Sequence, residues 1–382
     1  MTGASAIQIV PELAKTASHI TIYQRSPKWH LPRSNKKIGA IQHFLLSYVP
    51  PLRWCKRILQ MRYREWLYNV LVTPGTVPAR QFEAQSQEWM KSQLPDKPEL
   101  WDTLTPNYAI GCKRVLISDD FYAALNESHV DLNTRPIQRV TANGVQTDND
   151  EQEYDLIVLA TGFRASEFLH PIRVYGAGGR SLEDIWKDGP RAYYGMTVED
   201  VPNFGMLYGP NTNLGVFIFP SEIIRVHTLT GIGHNSVITM IEAQSRYLST
   251  MIRAVADAKK KDQTLVIQPR PEVLREYNER VQKHLAETSF ADPNCQSWYK
   301  TDEGLITNNW PFTVVRYQKE VSQVRWADFI LKGSGSAAVA KKKATYVGRV
   351  KEEALVSNVT LFLGVALAAG GVYWRATSWW KW

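Results

Sequence analysis

The first residues whose types and spacing could do chemistry stand at the amino terminus. Gly3-Ala4-Ser5-Ala6 opens a predicted helix with Ile7, Val10 and Leu13 on one face. A glycine there lets the backbone approach a phosphate, and a helix N-terminus offers unpaired N–H groups to it. The apolar run Ile20 to Tyr23 predicts a strand, and Arg25 and Ser26 stand just past its end. Glycine turn, helix and strand in this order read as the second half of a βαβ unit that holds a dinucleotide. Ala6 occupies the place of the fingerprint's third glycine, which the motif permits. A carboxylate after the second strand would bind a ribose 2′-hydroxyl. Arg25 instead suits a 2′-phosphate, so NADPH is expected rather than NADH.

Such a unit needs a preceding strand, yet Met1 falls where the first glycine should be. Without that central strand its neighbours would expose edges and apolar faces. The chain is therefore expected to be an N-terminally truncated fragment or the product of a mispredicted gene model. The alternative is that M-T-G-A-S-A is an ordinary small-residue helix start.

The 382 residues suffice for two or three domains, and the composition is that of a folded protein. The net charge of +8 is modest and owes part of its value to Lys341, Lys342, Lys343, Arg349 and Lys351, a local cluster that calls for no nucleic acid. Cys55, Cys112 and Cys295 show neither metal spacing nor a disulfide framework, which points to a reducing compartment. No metal motif is present among the eight histidines.

The elements that must position the candidate residues follow in order. Residues 36–98 read as a helical insertion within a nucleotide domain spanning 1–165. Within it, Ile41 to Val72 forms two helices broken at Pro50-Pro51. Short strands are expected at Val115–Ile117, Val130–Leu132 and Ile137–Val140, with a turn at Asn143-Gly144. Leu156 to Ala160 is wholly apolar, as a buried parallel strand would be, and ends in Thr161-Gly162. Residues 166–330 read as the remainder of a second domain. It holds a strand at Phe204–Tyr208, a helix at His234–Tyr247 with Ile238, Met240 and Ile241 on its apolar face, a strand at Leu265–Gln268 and a helix at Pro271–Leu285. Residues 331–353, with Gly333-Ser334-Gly335-Ser336, read as a flexible basic linker. Residues 354–374 carry no charge and are long enough to cross a bilayer core of about 30 Å. Tyr373, Trp374, Trp379, Trp380 and Trp382 supply an aromatic belt, so a single-pass C-terminal anchor with a cytosolic body is expected; a buried soluble helix is the alternative.

Taken together, G-A-S-A-I-Q, Y-Q-R-S-P-K-W-H-L-P-R, G-C-K-R, D-L-I-V-L-A-T-G-F, the run from Gly178 to Val198, and P-N-F-G-M-L-Y-G-P-N-T-N-L-G resemble the flavin-containing monooxygenases of the Baeyer–Villiger type. The resemblance covers residues 2 to 330. It implies an α/β, Rossmann-like flavoprotein fold with two dinucleotide-binding domains, most of the FAD domain being absent here. It also implies FAD and NADP as cofactors, O2 as co-substrate and a small ketone or heteroatom substrate. By resemblance, Gly3, Ala4, Ser5, Ala6 and Gln8 line the NADPH pyrophosphate, and Arg25, Ser26 and Lys113 hold the 2′-phosphate. Arg114 is the active-site arginine, stabilising the anionic C4a-peroxyflavin and its adduct. Ala160, Thr161 and Gly162 pass near the cofactors, and Asn211, Thr212 and Asn213 face the isoalloxazine ring. Without the resemblance, Lys113-Arg114 is an ordinary solvated pair and G-P-N-T-N a plain turn.

One departure stands out. Residues 216–233 interrupt a stretch that in the family runs directly from N-L-G into H-N-S. The codons possible for Gly215, Leu229-Thr230 and Ile232-Gly233 allow the signals of a short unspliced intron. The expected activity is an oxidoreductase one, an FAD- and NADPH-dependent oxygen insertion next to a carbonyl or onto a heteroatom. The alternatives are an N- or S-oxygenating flavin monooxygenase and an inactive membrane-tethered remnant.

Overall fold

The computed structural model describes residues 3–33, 38–148, 150–162, 167–215, 237–301 and 303–348. The possible intron at 216–233 and the candidate anchor at 354–374 lie outside them. Among the described residues no helix is long and apolar enough to cross a membrane.

Helix α1 (Ala6–Leu13) and strand β1 (Ile20–Tyr23) form where the apolar spacing places them. Ile7 and Val10 face inward against Ile22, Val130, Phe121 and Leu125 in one buried cluster. β1 pairs in parallel with β4 (Val130–Asn133), Ile20 opposite Val130. Strand β2 (His30–Leu31) pairs in parallel with β3 (Leu116–Ile117), and α6 (Phe121–Asn126) leads into β4. Parallel pairing with helices between the strands is the α/β arrangement expected, although each sheet here has only two strands.

Between β2 and β3 lie α2 (Ala40–Tyr48), α3 (Pro50–Val72), α4 (Val77–Gln93) and the short α5 (Trp101–Leu104). The first two are the expected pair, and the prolines sit in the first turn of α3, where a missing N–H costs nothing. The Thr76 side chain caps α4 by accepting from the Ala79 amide at 3.3 Å.

The antiparallel β5 (Arg139–Val140), β6 (Gly144–Gln146) and β7 (Glu151–Glu153) follow. Gly144 is required there, because a side chain would run into the Gln152 backbone. After the short α7 (Leu182–Ile185) come α8 (Val237–Lys259), β8 (Val266–Pro269) and α9 (Pro271–Leu285). The helix α10 (Val314–Glu320) and strands β9 (Gln323–Arg325), β10 (Phe329–Lys332) and β11 (Ala344–Tyr346) close the body, with α11 (Ser336–Ala340) between the last two strands. The largest buried cluster gathers Tyr68, Leu71, Tyr193, Tyr194, Tyr247, Tyr277, Trp310 and Tyr317. Tyr68 donates its hydroxyl to the Trp310 carbonyl at 2.6 Å, which ties α3 to the C-terminal half.

Several expectations are corrected. Leu156 to Ala160 forms no strand. Leu156 and Leu159 are 70% and 75% exposed, because no described strand flanks them and an apolar strand is buried only between neighbours. Phe204 to Tyr208 is likewise irregular, with Tyr208 at φ 58°. Helix α8 runs twelve residues beyond the expected Tyr247, and Ile238 lies on its exposed side while Met240 is buried. The segment read as a flexible linker is folded as far as residue 348. The Gly335 amide donates to the Thr264 carbonyl at 2.9 Å, and Ser334 and Thr264 exchange two further bonds. Cys112 and Cys295 form a disulfide across a separation of 183 residues, a pairing that sequence spacing does not reveal.

Cys55 is therefore the one free thiol. Thiol titration of the denatured, unreduced chain is expected to count a single reactive group per molecule; three would contradict the pairing. Trp310 is fully buried. Trp310→Ala is expected to lower stability by about 3–5 kcal/mol, read as a fall in the urea midpoint.

Candidate functional site: a cation cluster and an adjoining arginine

The chain leaves the C-terminal end of β1 through Arg25 and Ser26, at the end of parallel strands where open α/β sheets hold ligands. Two hydrogen bonds lock this segment to the turn that carries Lys113. The Trp29 indole donates to the Tyr108 carbonyl at 3.0 Å, and the Tyr108 hydroxyl donates to the Pro27 carbonyl at 2.8 Å. The turn itself needs Gly111, at φ 98°. It is held from outside by Asp292 and Glu83, whose carboxylates accept from the Ala109 and Ile110 amides at 2.7 and 3.0 Å.

The result brings Lys113 Nζ to 3.1 Å from Ser26 Oγ and to 4.5 Å from the centre of the Tyr108 ring. The Lys113 amine is pulled down to about 8, first by burial and then by the charges of Lys28, Arg25 and Lys300. Lys28 is held down by burial and then by Arg25. Lys300, whose Nζ donates to the Asp292 carbonyl at 2.8 Å, is held down by burial, with the Asp292 charge opposing. Lys28 also reaches Gly3: its Nζ stands 3.9 Å from where a side chain on Gly3 would begin. Arg25, Lys28 and Lys300 thus all act on Lys113 through their charges, and Lys28 also stands beside the N-terminal turn of α1. Like charges gathered this closely repel one another, and an anion between them relieves the repulsion.

The expected residues Gly3, Ala4, Ser5, Ala6 and Gln8 occupy that turn. Ala6 is buried, and Gln8 is exposed. Gly3 accepts from the Ile7 amide at 3.2 Å as the helix begins, and Ser5 makes no side-chain cap. Lys28 and Lys300 complete the cluster and were not singled out from the sequence. Lys28 is the second cation of the run R-S-P-K, and Lys300 closes the W-Y-K stretch.

Arg114 points elsewhere. It is exposed, and its charge acts on the phenols of Tyr208 and Tyr299. Burial pushes Tyr208 up to about 12 while Arg114 draws it back. The Tyr208 hydroxyl bonds to the Asn213 carboxamide oxygen, so Arg114 and the Asn211-Thr212-Asn213 loop meet through this tyrosine. That loop is not a plain surface turn. Asn211 and Thr212 are 1% and 0% exposed, and the Asn211 amide donates to the carbonyls of Ile306 and Asn309 at 2.8 and 3.1 Å. Beside it, both side-chain polar atoms of Asn309 and the Thr307 hydroxyl are buried without a protein partner.

Ala160 is half-buried, and Thr161 and Gly162 are exposed. Among the described residues no hydrogen bond links them to either group. No cluster there has the makings of a metal site.

No family model matches the chain. It is similar to the FAD-binding monooxygenase ktnD of Aspergillus niger, with 94% identity over 380 residues that cover all of this chain and 60% of that one. A Baeyer-Villiger monooxygenase of Streptomyces coelicolor is 33% identical over 344 residues, covering 90% of this chain and 62% of its own. The crystal structure of OTEMO complexed with FAD and NADP superposes with a TM-score of 0.67 at 23% identity, covering 87% of this chain and 65% of the other. The chain therefore spans about three-fifths of the length of these curated relatives. It is a homologue of flavin monooxygenases, with Baeyer–Villiger monooxygenases among its relatives, as the motifs imply.

The depressed Lys113 gives a pH test. Between about 8 and its ordinary 10.5 the folded chain holds fewer protons at this amine than the unfolded chain does. In that window the group therefore favours folding as pH rises. Anion binding has the opposite sense, since it needs the ammonium. Affinity of the cluster for a phosphate-bearing probe such as adenosine 2′,5′-bisphosphate is expected to weaken as pH rises through about 8, and Lys113→Arg to remove that dependence. Fluorescence titration at pH 7 and pH 9 checks it; one profile for both proteins contradicts it.

Proposed function

We propose that the chain is the NADPH-binding and part of the flavin-binding portion of a monooxygenase that places one oxygen atom of O2 next to a ketone carbonyl or onto a heteroatom. The observation that carries this is the contact of Lys113 with Ser26 under the charges of Arg25, Lys28 and Lys300, with Lys28 beside Gly3 at the start of α1. A phosphomonoester fits a cluster of point charges and hydroxyl donors, and a helix N-terminus beside it fits a pyrophosphate. The names of the relatives and the ligands of the structural neighbour support the same cofactors.

In this reading Arg25, Ser26, Lys28 and Lys113 hold the 2′-phosphate and thereby choose NADPH over NADH. Gly3, Ala4, Ser5, Ala6 and Gln8 receive the pyrophosphate. The Asn211–Asn213 loop would help to hold FAD, which would supply the activation of O2; beside the loop, buried polar atoms of Asn309 and Thr307 have no protein partner. Arg114 places its charge beside that loop and stabilises negative charge that develops on oxygen during transfer. Ala160, Thr161 and Gly162 carry the chain past the cofactors. For the C-terminal run 354–374 the proposal is a single membrane anchor, on the strength of its length and lack of charge.

Removing one charge-assisted contact to phosphate costs about 1.5–3 kcal/mol, or roughly 10- to 150-fold in affinity. Arg25→Ala is expected to weaken NADPH binding by that factor while leaving NADH binding unchanged. Equal loss with both nucleotides contradicts the assignment. Protein that takes up no FAD and consumes no NADPH with a ketone present supports the inactive remnant instead.

A further inference from the structure

Helix α2 buries none of its residues. Ile41, Phe44, Leu45 and Tyr48 recur at helical spacing on one face of it and are 79%, 58%, 39% and 72% exposed. On α3, Leu52, Leu59 and Trp66 stand seven residues apart, on one side of the helix, and are about half exposed. The opposite side of α3 faces the body, with Ile58, Tyr68 and Leu71 buried. Seven exposed large apolar side chains thus stand on two consecutive helices, more than scattered surface residues make.

Its electrostatics point to one kind of partner. From Leu13 to Arg64 the sequence has no Asp or Glu, while Arg53, Lys56, Arg57, Arg62 and Arg64 lie along α3. Glu65, the acid of α3, is turned inward, where its carboxylate accepts from the Val314 and Val315 amides at 3.3 and 3.4 Å. Apolar and aromatic side chains with Arg53 and Lys56 beside them, in a stretch of sequence that has no Asp or Glu before Glu65, are the composition of a helix that lies in the interface of an anionic membrane. A second copy of the same face would meet its own positive charge.

We infer that the α2–α3 segment is a membrane-docking surface for anionic lipid, with Ile41, Phe44, Tyr48, Leu59 and Trp66 entering the interface and Arg53 and Lys56 meeting headgroups. The inference stands apart from the oxygenase reading and from the C-terminal anchor, since its residues belong to neither.

Cys55 provides a native reporter. It is exposed on α3 between Leu52 and Leu59, and the other two cysteines are bonded to each other. The full chain, labelled there with an environment-sensitive fluorophore, is mixed with phosphatidylcholine vesicles with and without phosphatidylserine. The expected result is a blue shift and brighter emission that depend on phosphatidylserine and fade with added salt. Phe44→Ser with Tyr48→Ser abolishes the shift, and Arg53→Glu with Lys56→Glu lowers partitioning roughly tenfold or more. Phe44, Tyr48 and Arg53 are exposed and Lys56 is half-buried with its charge at the surface of α3, so circular dichroism should be unchanged. Co-sedimentation with vesicles without a shift at Cys55 overturns the inference and leaves the C-terminal run as the contact. A shift that appears with protein concentration alone indicates self-association, and one produced by polyglutamate but not by vesicles indicates an acidic protein; both overturn it.

Discussion

Four cationic side chains, Arg25, Lys28, Lys113 and Lys300, are held where each depresses or feels the charge of another. Left alone, such a group opposes folding. The rest of the site is the framework that keeps it together. Trp29 and Tyr108 cross-link the two segments, Asp292 and Glu83 grip the turn through its amides, and the Cys112–Cys295 disulfide joins the Lys113 turn to the stretch leading to Lys300. Neutral donors would have been cheaper to assemble, so the charge of the cluster is the feature that calls for a functional reading.

The same turn serves two places. Lys113 and Arg114 are consecutive, yet one amine reaches Ser26 and the other side chain acts on Tyr208 and Tyr299. A displacement of the turn would therefore disturb the cation cluster and the surroundings of the Asn211–Asn213 loop together. Reduction of the neighbouring disulfide and loss of Asp292 both act on this single support.

The sequence was most legible where one local pattern sufficed. The helix after Gly3, the strand before Arg25 and the charged helix over Pro271–Leu285 follow from spacing alone. Arg25, Ser26 and Lys113 were grouped by resemblance, and the structure brings Lys113 to Ser26. What stayed hidden depends on distant chain. Lys28 looked like one more cation in a basic run, Lys300 lies almost two hundred residues from Lys113, and the disulfide spans a similar gap. Leu156 to Ala160 shows the converse failure. Its apolar content reads as a buried strand, but strand formation and burial both depend on neighbours, and none of the described strands supplies them. Gly333 to Ser336 misled in a third way, since small residues that read as a linker are needed there for a close backbone approach to Thr264.

The central claim is that this cluster recognises a phosphomonoester on a ribose. Calorimetric titration with adenosine 2′,5′-bisphosphate and with adenosine 5′-monophosphate isolates that group from the nicotinamide and from any flavin. The account predicts that the bisphosphate binds at least roughly tenfold more tightly, as one added charge-assisted contact requires. Equal affinity for the two nucleotides would contradict it.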